Sequence, residues 1–550
     1  MHDAILQWNA IALDVARRDY TFSDGAVRDE SDADPPRTDL RPEQPGAPRT
    51  ARAFAMVHLA MYDALAAHEP AALRRYLASS FAPGARSSAA AAIGGAAATV
   101  LRSLYSLSAR QIDVQATHWQ LALIATGAAP EAVAAGFAFG AALGEAMLAE
   151  RSTDIAAAAD AIGLRPSGPG AHRADPFAPD QGLLGEKWGR VRPFGFADLS
   201  AIVARFVPPL GAPGFGAFLN RPEWPGEVEE LRRFGGAAGT PGLLRTPEQT
   251  TIGIFWAYDG ARAIGTVPRL YNQCLEAFAR TAGLSTAENA VLFALANAAM
   301  ADAALAAWAE KYLFRVMRPV IGVRETAVGF GPGNGCARRT FAPEALPLPL
   351  AADDPAEIAA WLARAPERAT TDAAGCTDDP EWRPLGAPQT NAPGVFNRTP
   401  NTPSYPSEHA AFAAACFGAA RAWLAAARPE IDADGLTFDV VSDEFDGRSV
   451  DPDGSQRVVH RRQLTLAQAI HESALSRIYL GLHWRMDAVE GVRVGSDVVQ
   501  AILAVGRGPA AGLLNARPAA PIGRRVPATS RAARGGNANM LRRSAGRWGP

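Results

Sequence analysis

The sequence predicts an all-α protein of two helical lobes, on three observations. Its 550 residues exceed what one compact core usually holds. Apolar residues recur at three- and four-residue spacing through long alanine-rich stretches, which is the period of a packed helix. Segments rich in Pro and Gly separate those stretches and read as long irregular connections.

Taken in order, residues 1–50 form an N-terminal helix and an extended arm, the arm being polar, acidic and proline-containing over 21–49. An N-terminal helical group occupies 51–245, with helical periodicity over 51–68, 87–107, 111–126 and 130–149. From 163 to 225 the pattern breaks into Pro, Gly and aromatic residues, as in DPFAPDQGLLGEKWGRVRPF, a long connection along the surface. A second helical group spans 246–505, with helices resuming after about 247. Its clearest helix covers 286 to about 317, opened by Ser285 and Glu288 at capping-box spacing and stopped by Pro319. Residues 319–406 are connection, with one helical piece near 354–365. A helix over 408–427 follows, capped by Ser407. Then come an acidic loop or hairpin (TFDVVSDEFDGRSVDPDG) and helices over 464–480 and 486–504. Residues 506–550 form a basic tail, which from Arg517 on holds eight arginines and no acid, a composition that suits disorder.

Composition excludes several classes of function. Lys plus Arg number 54 and Asp plus Glu 56, so a net charge of -2 gives no global attraction to nucleic acid or anionic membranes. The four cysteines form no CxxC pair, which argues against a zinc site or a disulfide scaffold. Cys336 and Cys376 lie in a loop-rich region where a bridge and free thiols are both open. MHDAILQWNA lacks the basic and apolar regions of a signal peptide, and the longest apolar stretches are alanine and glycine. A soluble, cytoplasmic protein is expected. The acidic segment 443–453 lacks EF-hand spacing and reads as a solvated loop rather than a calcium site. His58, His118 and His471 lie in helical patterns and read as structural.

Three stretches carry chemistry. In WAEKYLFRVMRP, Trp308, Lys311 and Arg315 share a helical face to which Arg318 returns, so fixed cations point one way. In TPSYPSEHAAF, Ser407 caps a helix whose first N–H groups and positive dipole end are then open to an anion, with Glu408 and His409 beside it. In HESALSRIYLGLHWRMDAVEG, Asp487 stands four residues after His483. That spacing lets a carboxylate hold one imidazole nitrogen and leave the other free as nucleophile or metal ligand, while Arg477 adds a planar donor fork. Together they suit a tetrahedral oxyanion.

Lys-x6-Arg-Pro (Lys311 to Pro319), Pro-Ser-x-His (Pro406 to His409) and Ser-Arg-x5-His-x3-Asp (Ser476 to Asp487) resemble the three-part signature of vanadium-dependent haloperoxidases and the phosphatidic acid phosphatase type 2 superfamily. FWAYDGARAIGTVPRLYNQ, residues 255–273, with the early WNAIALDVARRD and ARAFAMVHLAMYDA, resembles the soluble haloperoxidase branch, so the likeness covers roughly 8–505. It implies two four-helix-bundle-like groups with one site and vanadate as cofactor, for which phosphate can substitute. His483 would be the metal ligand. Lys311, Arg318, Arg477, Ser407 and a backbone N–H near Glu408 would hold the oxygens. His409 would be the acid–base residue, and Lys311 would polarise peroxide. Asp259 and Asp487 would support this set from behind, and Trp308, Thr402 and Glu408 would line a halide pocket. The implied partners are hydrogen peroxide, a halide and an electron-rich organic substrate, with a homodimer or larger assembly and no nucleic acid or membrane.

Two positions depart from that pattern. Glu408 replaces the usual glycine, and three placements are open for its carboxylate: facing the anion and weakening its binding, turned outward to complement the helix dipole, or lying in the halide channel. Thr402 stands where relatives carry a histidine or aromatic residue associated with halide preference, so bromide or iodide is favoured only because they oxidise more easily. Two other readings of the scaffold are a soluble acid phosphatase with a phosphohistidine intermediate at His483, and a catalytically retired oxyanion-binding homologue.

Overall fold

The computed structural model describes residues 3–21, 42–78, 81–158, 168–324 and 382–505, together with the backbone of 338–339 and 369–370. Residues 22–41 of the arm expected over 21–49, the helical piece near 354–365, Cys336, Cys376 and the basic tail lie outside the described residues.

The chain is predominantly helical, and among the described residues strands form only two-stranded pairings. Helix α1 (Ala4–Asp19) is capped by Asp3, whose side chain accepts from Leu6 N. Helix α2 (Gly46–His68) starts five residues before the expected 51, with Gly46, its first residue, at φ 80°, and is buried along most of its length. Helices α3 (Ala89–Leu104), α4 (Ala109–Ala125) and α5 (Pro130–Glu150) complete the N-terminal group. Next comes α6 (Trp224–Phe234), which starts at the end of the connection expected over 163–225 and before the expected resumption of helices at about 247. It buries Trp224, Val228, Leu231 and Phe234, one stripe at helical spacing, and its proline at the start is compatible with a first turn whose N–H is spare.

Helices α7 (Pro247–Phe255), α8 (Val267–Thr281), α9 (Thr286–Phe314), α10 (Glu408–Ala427), α11 (Leu466–Tyr479) and α12 (Arg485–Ala504) carry the second half. Strands β1 (Asp259–Ala261) and β2 (Gly265–Thr266) pair between α7 and α8. Strand β3 (Phe438–Val441) pairs antiparallel with β4 (Arg461–Leu464), Phe438 opposite Leu464. One apolar core runs through α1–α5 and α7–α12. Its axis is α9, fixed at Ser285 by a reciprocal capping box with Glu288 and packed on α2 and α10. A second apolar cluster, with Trp224, Tyr405 and Trp484, lies beneath the segment that leads into α10.

Three sequence expectations are corrected. Helix α9 ends at Phe314, not near 317, because Arg315 turns left-handed at φ 52°. Arg315 and Arg318 are therefore off the helix and share no face with Lys311. The segment 443–453 is not a solvated loop: buried Glu444 pairs with Arg457 and accepts from Thr390, and Asp443 pairs with Arg269. Those carboxylates already have cations. Finally, Pro130–Ala157, Thr286–Phe314 and Glu408–Ala427 are long and apolar enough to cross a membrane, contrary to the expectation from uninterrupted runs, because alanine keeps their mean hydropathy high. The apolar window of Thr286–Phe314 lies wholly inside the protein.

Candidate active site

The site forms where the end of α9, the start of α10 and the turn between α11 and α12 meet. Close approach is built in by Gly491 and Gly495 of α12. A Cβ at Gly491 would stand 2.4 Å from the Ser407 carbonyl oxygen, and one at Gly495 2.3 Å from that of Ala411. Glycine thus brings the backbone of α12 directly against the start of α10.

His483 sits in the turn just before α12 and is fully buried. Its Nδ1 lies 3.0 Å from Asp487 Oδ2, an oxygen that also accepts from Trp484 N at 2.9 Å and from the Ser404 hydroxyl. A carboxylate only accepts, so Nδ1 carries the hydrogen and Nε2 presents a lone pair. Burial, then the Arg318 charge, lowers the pKa of the ring. Nε2 faces Arg318 Nη1 at 2.7 Å and Glu408 Oε2 at 3.2 Å.

The cations are buried and tied to the backbone. Lys311, at the end of α9, donates to three carbonyl oxygens of the approach to α10: Pro403 at 2.8 Å, Ser404 at 2.9 Å and Pro406 at 2.6 Å. An ammonium has three hydrogens, and here each has a carbonyl. Burial brings its pKa down to about 8, against the opposing charge of Glu408. Arg318 donates to Thr402 through Nε (2.8 Å to the carbonyl) and Nη2 (2.7 Å to Oγ1), and through Nη1 to the Leu482 carbonyl at 3.0 Å. Arg477 forms a bidentate pair with Asp259, at 2.9 and 2.8 Å, leaving its Nε buried without a hydrogen-bond partner.

Helix α10 begins with Ser407, Glu408 and His409. Ser407 Oγ accepts from Ala410 N, and the N–H groups of the first turn have no acceptor within the helix. His409 Nε2 lies 2.6 Å from the Ala257 carbonyl, which can only accept, so the hydrogen is on Nε2 and the unpartnered Nδ1 is basic. The Tyr271 hydroxyl donates to the His409 carbonyl at 2.9 Å and steadies this turn. Glu408 is turned inward. Its Oε2 is 2.8 Å from Lys311 Nζ and its Oε1 is 3.7 Å from His409 Nδ1 and 3.9 Å from Arg318 Nη2. Of the three open placements, the outward one is ruled out: pairing with Lys311 offsets the burial of the carboxylate. Burial opposes its ionisation, yet the surrounding charges, Lys311 first, hold it well below the usual carboxylate range.

Trp308 is buried on the flank of the site, its Nε1 donating to the Leu184 carbonyl and its ring 6.0 Å from Lys311 Nζ. Arg315 stays outside, 3.8 Å from Glu186. His58 is buried in the core against Phe293, and His118 is exposed. Sequence reasoning missed Ser404 and the carbonyls of Ala257, Pro403, Pro406 and Leu482. Ser404 stands two residues before the second motif, but backbone carbonyls leave no trace in side-chain patterns.

The donor set suits a tetrahedral oxyanion in kind: two guanidinium groups, an ammonium, a serine, a helix N-terminus and an imidazole lone pair, with Arg477 Nε and His409 Nδ1 left over. Asp259, Glu408 and His409 also converge, each with a ligand atom within 4.8 Å of the others'.

A family model described as the VCPO second helical-bundle domain matches residues 291–508, which contain all three motifs. Vanadium chloroperoxidase of Curvularia inaequalis is 29% identical over 293 residues, a match covering 48% of this chain and 40% of that protein's length. Among solved structures, a bacterial vanadium-dependent iodoperoxidase superposes with a TM-score of 0.59 at 19% identity, covering 84% of this chain and 91% of the other. The apo form of a bacterial vanadium-dependent chloroperoxidase superposes with a TM-score of 0.54 at 14% identity, covering 86% and 94%. At these identities the structures show a shared fold.

Proposed function

We propose that this chain, whose residues 291–508 match the VCPO second helical-bundle domain, is a vanadate-dependent haloperoxidase of the vanadium haloperoxidase and acid phosphatase superfamily. It takes hydrogen peroxide and a halide, bromide or iodide, to hypohalous acid, which halogenates electron-rich organic substrates. The observation that carries the reading is the buried His483–Asp487 pair, with its Nε2 lone pair facing the cations of α9 and the turn that follows it.

His483 offers Nε2 as the metal ligand, in a tautomer held by Asp487. Arg318, Arg477, Ser407 and the first N–H groups of α10 would hold the oxygens, and Lys311, whose hydrogens stay on carbonyls, would help neutralise their charge. Asp259 keeps Arg477 in plane. His409, with Nε2–H committed to Ala257, would take a proton from hydrogen peroxide at Nδ1 and give it to a departing hydroxide, which leaves as water. Bound vanadate supplies a Lewis acid that activates peroxide without itself changing oxidation state. Trp308 and Thr402 flank the path for halide, and the protein acts as a soluble homodimer or larger assembly.

The test is bromination of monochlorodimedone by the purified apo-protein with peroxide and bromide, with and without orthovanadate. Activity that requires vanadate is expected. Release of phosphate from a phosphomonoester without halogenation would replace this reading with the phosphatase one.

A further inference from the structure

The charges around His483 are balanced without any bound anion. Lys311, Arg318 and Arg477 supply three cations, and Glu408, Asp259 and Asp487 supply three carboxylates. Asp259 is spent on Arg477 and Asp487 on His483, which leaves Glu408 as the counter-charge for Lys311 and Arg318. Its carboxylate lies between Lys311 Nζ at 2.8 Å and His483 Nε2 at 3.2 Å, between the cation and the lone pair that an oxyanion cofactor needs. Its side chain is 6% exposed and that of Lys311 0%.

We propose that Glu408 is a built-in anion that holds the oxyanion place, so that a tetrahedral oxyanion enters only as this carboxylate swings out. The inference rests on the oxyanion-site reading above. The hold on Glu408 is of a kind that can be exchanged. All three Lys311 hydrogens have carbonyl acceptors, so Lys311 holds Oε2 chiefly by its charge, at 2.8 Å. Glu408 is also the first residue of α10, where its side chain can rotate without breaking a helical hydrogen bond. An incoming oxyanion restores the charge that the departing carboxylate removes, and Lys311 keeps its backbone partners throughout. Apparent affinity is then the intrinsic affinity multiplied by the fraction of molecules with the carboxylate outside.

Equilibrium binding of orthovanadate and of inorganic phosphate, by calorimetry on the full-length apo-protein, tests this without reference to turnover. Glu408→Gln keeps the shape and removes the charge; Glu408→Gly removes the side chain. Both variants are expected to bind each anion about tenfold or more tightly than the wild type, since the occupied fraction no longer taxes binding. Both should also show a larger rise in melting temperature on adding anion. Equal or weaker binding by both folded variants, or no binding by any of the three proteins, overturns the proposal. Tighter binding by the variants with no halogenation by any protein supports the built-in anion and removes the haloperoxidase reading. Vanadate-dependent halogenation by the wild type with unchanged affinity in the variants does the reverse.

Discussion

The buried polar side chains at this site are fixed by named partners. Asp487 gathers His483 Nδ1–H, Trp484 N–H and the Ser404 hydroxyl on one oxygen, so Asp487→Asn removes the charge that sets the tautomer. Loss of such a supporting partner typically costs about 10–100-fold in metal affinity, and vanadate titration of the variant should show a fall in that range. Lys311 joins α9 to the approach to α10 through three carbonyls and faces Glu408. Lys311→Met leaves that carboxylate buried and unpaired, which should cost about 3–5 kcal/mol, read as a lower urea midpoint. Glu408→Gln/Lys311→Met should recover part of that loss.

At the scale of elements, the site depends on how near two helices come. Gly491 of α12 lies against the Ser407 carbonyl, and the first turn of α10 carries Glu408 and His409. Gly491→Val forces these backbones apart. Overpacking of this kind costs about 1–3 kcal/mol, and here vanadate affinity should fall with the melting temperature, because the displaced first turn of α10 bears Ser407 and the N–H groups proposed to hold the oxyanion. The start of α9 is a contrasting case. Ser285→Ala removes one half of its capping box, about 25 residues from Lys311 in sequence, and should lower stability by about 1 kcal/mol while leaving vanadate affinity unchanged by calorimetry.

Across the whole molecule, one core joins the N-terminal helices to the half that bears the site, and His58 of α2 is buried within it. Neither ring nitrogen has a hydrogen-bond partner, and burial lowers its pKa from 6.5 to about 3. The unfolded chain therefore binds this proton more readily than the folded one between those values. The stability from neutral His58 is complete above pH 6.5 and is lost as pH falls from 6.5 towards 3. His58→Phe, which keeps a ring against Phe293, should flatten that part of the urea midpoint against pH.

What the sequence determined by itself was the inventory and its order. Helical period, the Ser285 capping box and the Lys311, Ser407–His409 and Arg477–Asp487 stretches were all legible, because helix geometry and capping act over three to seven residues. The His483–Asp487 pair is of that local kind. Tertiary structure decided which way each group faces. Arg318 enters the site only because α9 stops at Phe314 and the chain turns back, a local end that Arg315 sets in the left-handed region. Lys311 gives its hydrogens to carbonyls of a segment some ninety residues away, and Glu408 is drawn inward by that same cation. These outcomes depend on charge neutrality and close packing in a buried volume assembled from distant segments, which no spacing along the chain encodes.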